Sequence, residues 1–202
     1  KSYMRTKNRP CFVAFQPGLE FTPEKGIRNR QNFDIVFLNR AEDIERYHNL
    51  VQPKRWYHVS WGHPYFCFPE NFREDRGGPV YFFAQAISPR TYNGRIHVAE
   101  ALRAIALANP DRKIIIKLRH LPSENSNHVH KEEFSYPDLL EDLSDVPGNI
   151  ELSACSMSEA LHDASIVITC TSTAAMDAVS AGVPTLVYTD YVEYYRDPMA
   201  LA

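Results

Sequence analysis

An α/β fold built on a doubly wound parallel sheet is predicted for residues 79–202. Three observations predict it. From Gly78 onward, strand-length apolar runs alternate with helix-length periodic stretches in the order β-α-β-α-β-α-β-α-β. The run "RKIIIKLRH" has a continuously apolar centre, as a strand covered on both faces requires. The intervening stretches carry helix punctuation, with Asn109-Pro110 as a stop and Ser156-x-x-Glu159 as a capping box.

Each element follows from its own pattern. "PVYFFAQA" reads as the first strand of this region. "GRIHVAEALRAIALANP" is an amphipathic helix with Ile96, Ala99, Ala101, Leu102, Ile105 and Ala106 near one stripe. "RKIIIKLRH" is a strand, "YPDLLEDLS" a short helix and "GNIEL" a short strand. "SMSEALHDA" is a capped helix, "SIVITC" a strand, "AAMDAVSAG" a small-residue helix and "PTLVYTD" the last strand.

Residues 1–71 differ in texture, being rich in aromatics, Pro and Arg. "CFVAFQ" and "DIVFLN" read as strands, "GIRNRQNF" as a short connector or helix, and "WYHVSWGHP" as a third extended piece. "AEDIERYHNL" is helical, with acidic residues in its first turn. This alternation is too short for a complete domain of the same kind. Residues 72–78, charged and ending in a Gly pair, are expected to be a linker.

Bulk properties narrow the function. The 202 residues, 44% hydrophobic and 23% charged, suffice for a sizeable core in one domain or two small ones. A formal net charge of -3 argues against nucleic-acid binding by bulk charge. No apolar run reaches the ~20 residues needed to span a bilayer, and no signal peptide is recognisable in "KSYMRTKNRP". Cys11, Cys67, Cys155 and Cys170 have no paired spacing, so reduced thiols and a cytoplasmic location are expected. The chain begins at Lys1 rather than Met, as a fragment would.

Ligands of open parallel sheets bind beyond the carboxyl ends of the strands. There the sequence places Gln85, Ser88 and Arg90; Lys117, Arg119 and His120; Thr171, Ser172 and Thr173; and Thr189 with Asp190. Cations and hydroxyls on one rim suit a phosphate or pyrophosphate. Ser172 leads the hydroxyl group; Thr171 or Ser172 either caps the following helix or meets a ligand, roles that are compatible. Lys117 and Arg119 share a face if their strand continues, and otherwise form a solvated strand end. His120 is able to donate to phosphate or carry a proton. His128 and His130 lack the acidic or thiol partners of a metal site, so no metal is expected and a polar loop is the better reading. Glu20, after the turn at Gly18, either faces a cleft between the regions or is a surface carboxylate. His63 stands in an aromatic segment that packs or hinges, and "YVEYYRD" packs or covers a ligand. Nucleophile-elbow, Walker, Gly-x-Gly-x-x-Gly, paired-Cys and Asp-x-Asp patterns are absent.

"KLRHLPSE" followed by "HDASIVITCTSTAAMDAVSAGVPTLVYT" resembles the C-terminal donor domain of GT-B glycosyltransferases, in the style of bacterial capsule, lipopolysaccharide and sialyltransferase-like enzymes. The chain is also similar to an actinobacterial group of glycosyltransferases classed as a domain of unknown function. The resemblance implies that Lys117 and His120 match a Lys-x-His-Pro-type motif, that Ser172 and Thr173 match a hydroxyl pair, and that Gln85 matches a polar residue after the first donor-domain strand. All would hold the donor phosphates. Here the first motif runs His120-Leu121-Pro122, a departure from His-Pro. Residues 1–71 resemble the end of an N-terminal acceptor domain, so the chain is expected to be part of a longer enzyme or a shortened relative that only binds.

The expected function is metal-independent transfer of a sugar from a nucleotide-sugar donor, without a further cofactor. The acceptor would be a glycan or lipid-linked molecule in cell-surface polysaccharide or glycolipid synthesis, with possible peripheral association at the inner face of the membrane. Gln85, Ser88, Lys117, Arg119, His120, Thr171, Ser172 and Thr173 would bind the nucleotide phosphates. Glu20 and His120 are the candidates for catalysis. A sugar-nucleotide epimerase of the same fold and a non-catalytic nucleotide- or protein-binding module remain open alternatives.

Overall fold

The computed structural model describes residues 9–16, 23–51, 58–61, 69–75, 77–128 and 130–190. The chain divides into two compact units, Lys1–Cys67 with Arg196–Ala202, and Phe68–Tyr195.

The first unit holds β1 (Val13–Phe15), α1 (Pro23–Arg30), β2 (Ile35–Leu38), α2 (Glu42–Leu50) and β3 (His58–Trp61). Its strands are parallel in the order β1-β2-β3. Alternation sends Ala14, Val36 and Leu38 to one face, where they meet Ile27, Tyr47 and Val51. The opposite face carries Val13 and Phe15, each 41% exposed, and Phe15 stacks on Phe37 at 5.0 Å. Buried acids are paired: Asp34 accepts from Arg9 and the Phe12 amide, and Asp43 from Arg40 and Arg46.

The second unit holds β4 (Val80–Phe83), α3 (Tyr92–Ala108), β5 (Ile114–Lys117), a 3-10 turn (Pro122–Asn127), α4 (Tyr136–Asp142), β6 (Ile150–Ser153), α5 (Met157–Asp163), β7 (Ile166–Thr169), α6 (Ala174–Ser180) and β8 (Thr185–Val187). Its five parallel strands run β6-β5-β4-β7-β8. This is the expected doubly wound α/β sheet. Two cores cover it. Val80, Phe82, Ile114 and Ile116 pack with α3 and α4, while Tyr81, Phe83, Ile115 and Val167 pack with α5 and α6. Successive residues of β4 and β5 therefore serve opposite cores, which is why neither strand alternates with polar residues. Truncating fully buried Phe82 to Ala would cost about 3–5 kcal/mol.

Local signals set the element ends. Thr91 accepts from the Gly94 amide at 3.1 Å to start α3, and Ser156 and Glu159 form the expected capping box on α5. Gly182, at φ 73°, ends the turn after α6 in the left-handed region. Residues 72–75, expected as linker, belong to the second unit. The Arg73 amide donates to Gly182 O at 2.7 Å and Asp75 pairs with Arg112 at 2.9 Å. The buried stripe of α3 also departs from expectation. Gly94, Arg95, Val98, Ala99, Leu102 and Ala106 are buried, whereas Ile96 and Ile105 are only partly so. No helix among the described residues is long and apolar enough to cross a membrane.

Candidate functional site

Strand order reverses between β4 and β7. The chain moves one way from β4 to β5 and β6, then the other way to β7 and β8. In open parallel sheets a reversal of this kind, at the carboxyl ends of the strands, is where ligands bind. Phe83 is in register with both Lys117 and Thr169, and Lys117 with Ser153, so these strands finish in one row. Gln85 and Ser88, Lys117 to His120, and Thr171 to Thr173 thus stand at or just beyond the carboxyl ends of β4, β5 and β7.

Ser88 Oγ, in the loop after β4, lies 2.6 Å from Thr171 Oγ1, in the loop after β7. One hydroxyl donates to the other. Ser172 Oγ accepts from the Ala174 amide at 3.1 Å and so caps α6, with its own O–H still available. Thr173 makes no side-chain cap. Gln85 is half-buried, and its Oε1 is shielded from solvent without a partner.

Lys117 is 9% exposed. Its Nζ donates to Leu118 O at 3.3 Å and pairs with no carboxylate among the described residues. Burial pulls its pKa below the ordinary lysine value. Arg119 is exposed, and β5 stops at Lys117. The two cations therefore do not continue one strand face; one is buried at the strand end and the other stands in solvent.

His120 is 5% exposed. Its Nε2 lies 3.1 Å from Asn125 Oδ1, its Nδ1 is buried without a partner, and its ring stacks on His128 at 4.2 Å. His130 is exposed. No group of three or more His, Cys, Asp or Glu among the described residues is placed to hold a metal ion. Past β8, Tyr188 Oη lies 2.9 Å from His97 Nε2, and Asp190 is largely solvent-exposed. Gly18, Glu20, His63 and residues 191–197 lie outside the described residues.

Two charged residues of this unit escape sequence reasoning. Arg95 is fully buried. Its Nε donates to Pro89 O at 2.8 Å, Nη1 to Phe134 O at 2.7 Å and Glu132 Oε1 at 2.5 Å, and Nη2 to Gln85 O at 2.5 Å and Ala86 O at 2.7 Å. The guanidinium thus ties the loop after β4 to the segment before α4, and it lies 5.3 Å from the centre of the Tyr136 ring. In sequence it is one charge beginning an amphipathic helix; the six-residue spacing back to Pro89 is the only local hint. Asp177, one turn beyond Thr173 on α6, is half-buried, and burial pushes its carboxyl pKa up.

Three solved structures are similar to the chain. TarM shares 13% identity at a TM-score of 0.46, covering 82% of this chain and 32% of TarM. The GtfA/B complex shares 14% at 0.44, covering 84% and 33%. The glycotransferase of kitacinnamycin shares 12% at 0.38, covering 77% and 36%. The chain thus spans about a third of the length of each. A comparison with curated proteins gives no match. With residues 1–192 matching its sequence pattern, the chain belongs to the family described as "Putative glycosyltransferase (DUF6716)".

Proposed function

We propose that the second unit is the nucleotide-sugar donor site of a glycosyltransferase. One observation carries this reading: the hydroxyls of Ser88 and Thr171 meet 2.6 Å apart at the switch point between β4 and β7, and Lys117, at the carboxyl end of the neighbouring β5, is buried with no carboxylate partner among the described residues. An ammonium withdrawn from water and left without a counter-ion is costly, and an anionic ligand offsets that cost.

When the bond from sugar to phosphate breaks, negative charge grows on the departing nucleotide. Fixed donors in a poorly hydrated crevice stabilise that charge without reorganising. Lys117 supplies the buried positive charge and Arg119 a second one from solvent. Ser88, Thr171, Ser172 and Thr173 supply hydroxyls, Gln85 an amide, and His120 an imidazole. The charge that a metal ion would bring to the leaving group is then supplied by side chains, so transfer is metal-independent in this reading. The acceptor in this reading is a glycan or lipid-linked molecule of cell-surface polysaccharide or glycolipid synthesis.

Calorimetric titration with CMP, CDP, UDP and GDP tests the donor site and identifies its base. Saturable binding of one of them is expected; binding of none contradicts the proposal. Incubation with the labelled sugar nucleotide of that base then separates chemistries. Transfer or hydrolysis supports the transferase, an isomeric nucleotide sugar points to an epimerase, and binding without turnover points to a binding module.

A further inference from the structure

His120 lies on a chain of contacts that determines which of its two nitrogens carries the proton. Asn125 Oδ1 accepts from the Glu132 amide at 2.7 Å, and Asn125 Nδ2 donates to Glu132 O at 2.7 Å. A backbone N–H only donates and a backbone carbonyl only accepts, so this double clamp fixes which end of the Asn125 amide is oxygen. That oxygen is the atom 3.1 Å from His120 Nε2. An oxygen that only accepts requires a hydrogen on Nε2. Glu132 is itself held by Arg95, through Nη1 at 2.5 Å.

We propose that Asn125 is a positioning residue that locks neutral His120 in the Nε2–H tautomer and leaves Nδ1 as the atom offered to ligand. The opposite tautomer would set two lone pairs against each other at Asn125 and bury an unpaired N–H at Nδ1, where no partner exists. This refines the role of His120 in the donor site proposed above, and the ligand half of the inference rests on that reading. A bare Nδ1 lone pair cannot accept an anion. A phosphate therefore engages His120 with a proton on Nδ1, supplied by solvent or carried by the phosphate. His128, stacked on the ring, and Glu132, linked through Asn125, are the titratable groups tied to it. Lys117 and Arg119 precede it on its own segment, and Glu124 lies on the turn with Asn125.

The test is the pair of imidazole 15N resonances of His120, assigned by their loss in His120→Gln. In the ligand-free wild type at a pH where the ring is neutral, Nε2 should be protonated and Nδ1 should show the pyridine-type shift. Asn125→Ala should give a mixture of tautomers. An Nδ1–H wild-type ring, or a wild-type tautomer unchanged in folded Asn125→Ala, overturns the lock. With whichever of CMP, CDP, UDP and GDP binds tightest, Nδ1 should move to the protonated shift, and Asn125→Ala should bind about five- to tenfold more weakly. Nucleotide binding with an unmoved Nδ1 overturns the ligand half. If no nucleotide binds, the donor-site reading fails, while the tautomer result stands by itself.

Discussion

Two lysines flank strand β5, and they live differently. Lys113, at its amino end, is exposed and pairs with Glu151 at 2.9 Å, which raises its pKa. Lys117, at its carboxyl end, is buried without a carboxylate, and its pKa is lowered. The contrast extends along both edges of the sheet. On the amino-end side, Arg112 pairs with Asp75, and the Asn149 amide donates to Ala106 O, Asn109 O and Arg112 O. Ser180 Oγ, at the end of α6, is buried there without a partner among the described residues. On the carboxyl-end side, Gln85 Oε1 and His120 Nδ1 are buried without partners among the described residues. Buried polar groups are ordinarily satisfied. One edge closes the fold, and the other retains unmet polar capacity at the place where parallel sheets bind ligands.

Breaking the carboxyl-end scaffold should have the largest effect. Arg95→Leu strands four carbonyls and the Glu132 carboxylate, and should cost about 3–5 kcal/mol in denaturant unfolding. Nucleotide binding should fall with it, because the loops carrying Ser88 and His120 lose their common anchor. A near-neutral Arg95→Leu would mean that the loops hold themselves. Breaking the amino-end edge should separate stability from binding. Asn149→Ala should cost about 1–2 kcal/mol while nucleotide affinity stays at the wild-type value. A matching loss of affinity would erase the distinction between the edges.

A gentler cut sharpens the comparison. Arg119→Ala touches no described partner, so its melting temperature should be unchanged. Its nucleotide affinity should drop about tenfold, the scale of one charge-assisted bond. The smallest expected effect is in stability. Because its folded pKa is lowered, Lys117 makes the unfolded chain bind protons more strongly. Stability should therefore rise with pH between that lowered value and the ordinary lysine value, and be lower beneath it. Lys117→Met should abolish this rise and lift the melting temperature at neutral pH by about 2–4 °C. Identical pH profiles in the two proteins would contradict the burial cost assigned to the ammonium.

The alternation of strands and helices after Gly78 was legible because each element carries its own periodicity. The rim followed from it, since parallel strands place all their carboxyl ends together. The end of β5 was not legible: "KLRH" reads as continuing strand, but the chain turns after Lys117, which buries one cation and exposes the other. Arg95 was hidden for a longer-range reason. Its burial depends on carbonyls of Gln85, Ala86 and Pro89 and on Glu132, brought to it only by folding. The lock on His120 was hidden likewise, because it needs Asn125 and Glu132 to close on each other across a loop that reads as polar surface.

Nucleotide titration of Lys113→Met beside Lys117→Met tests the central claim most directly. Each variant removes one lysine charge, Lys113 from just before β5 and Lys117 from its last position. The asymmetry predicts that Lys117→Met weakens the best-binding nucleotide at least about tenfold while Lys113→Met binds like wild type. Equal affinities in the two variants would contradict a carboxyl-end edge built for an anion.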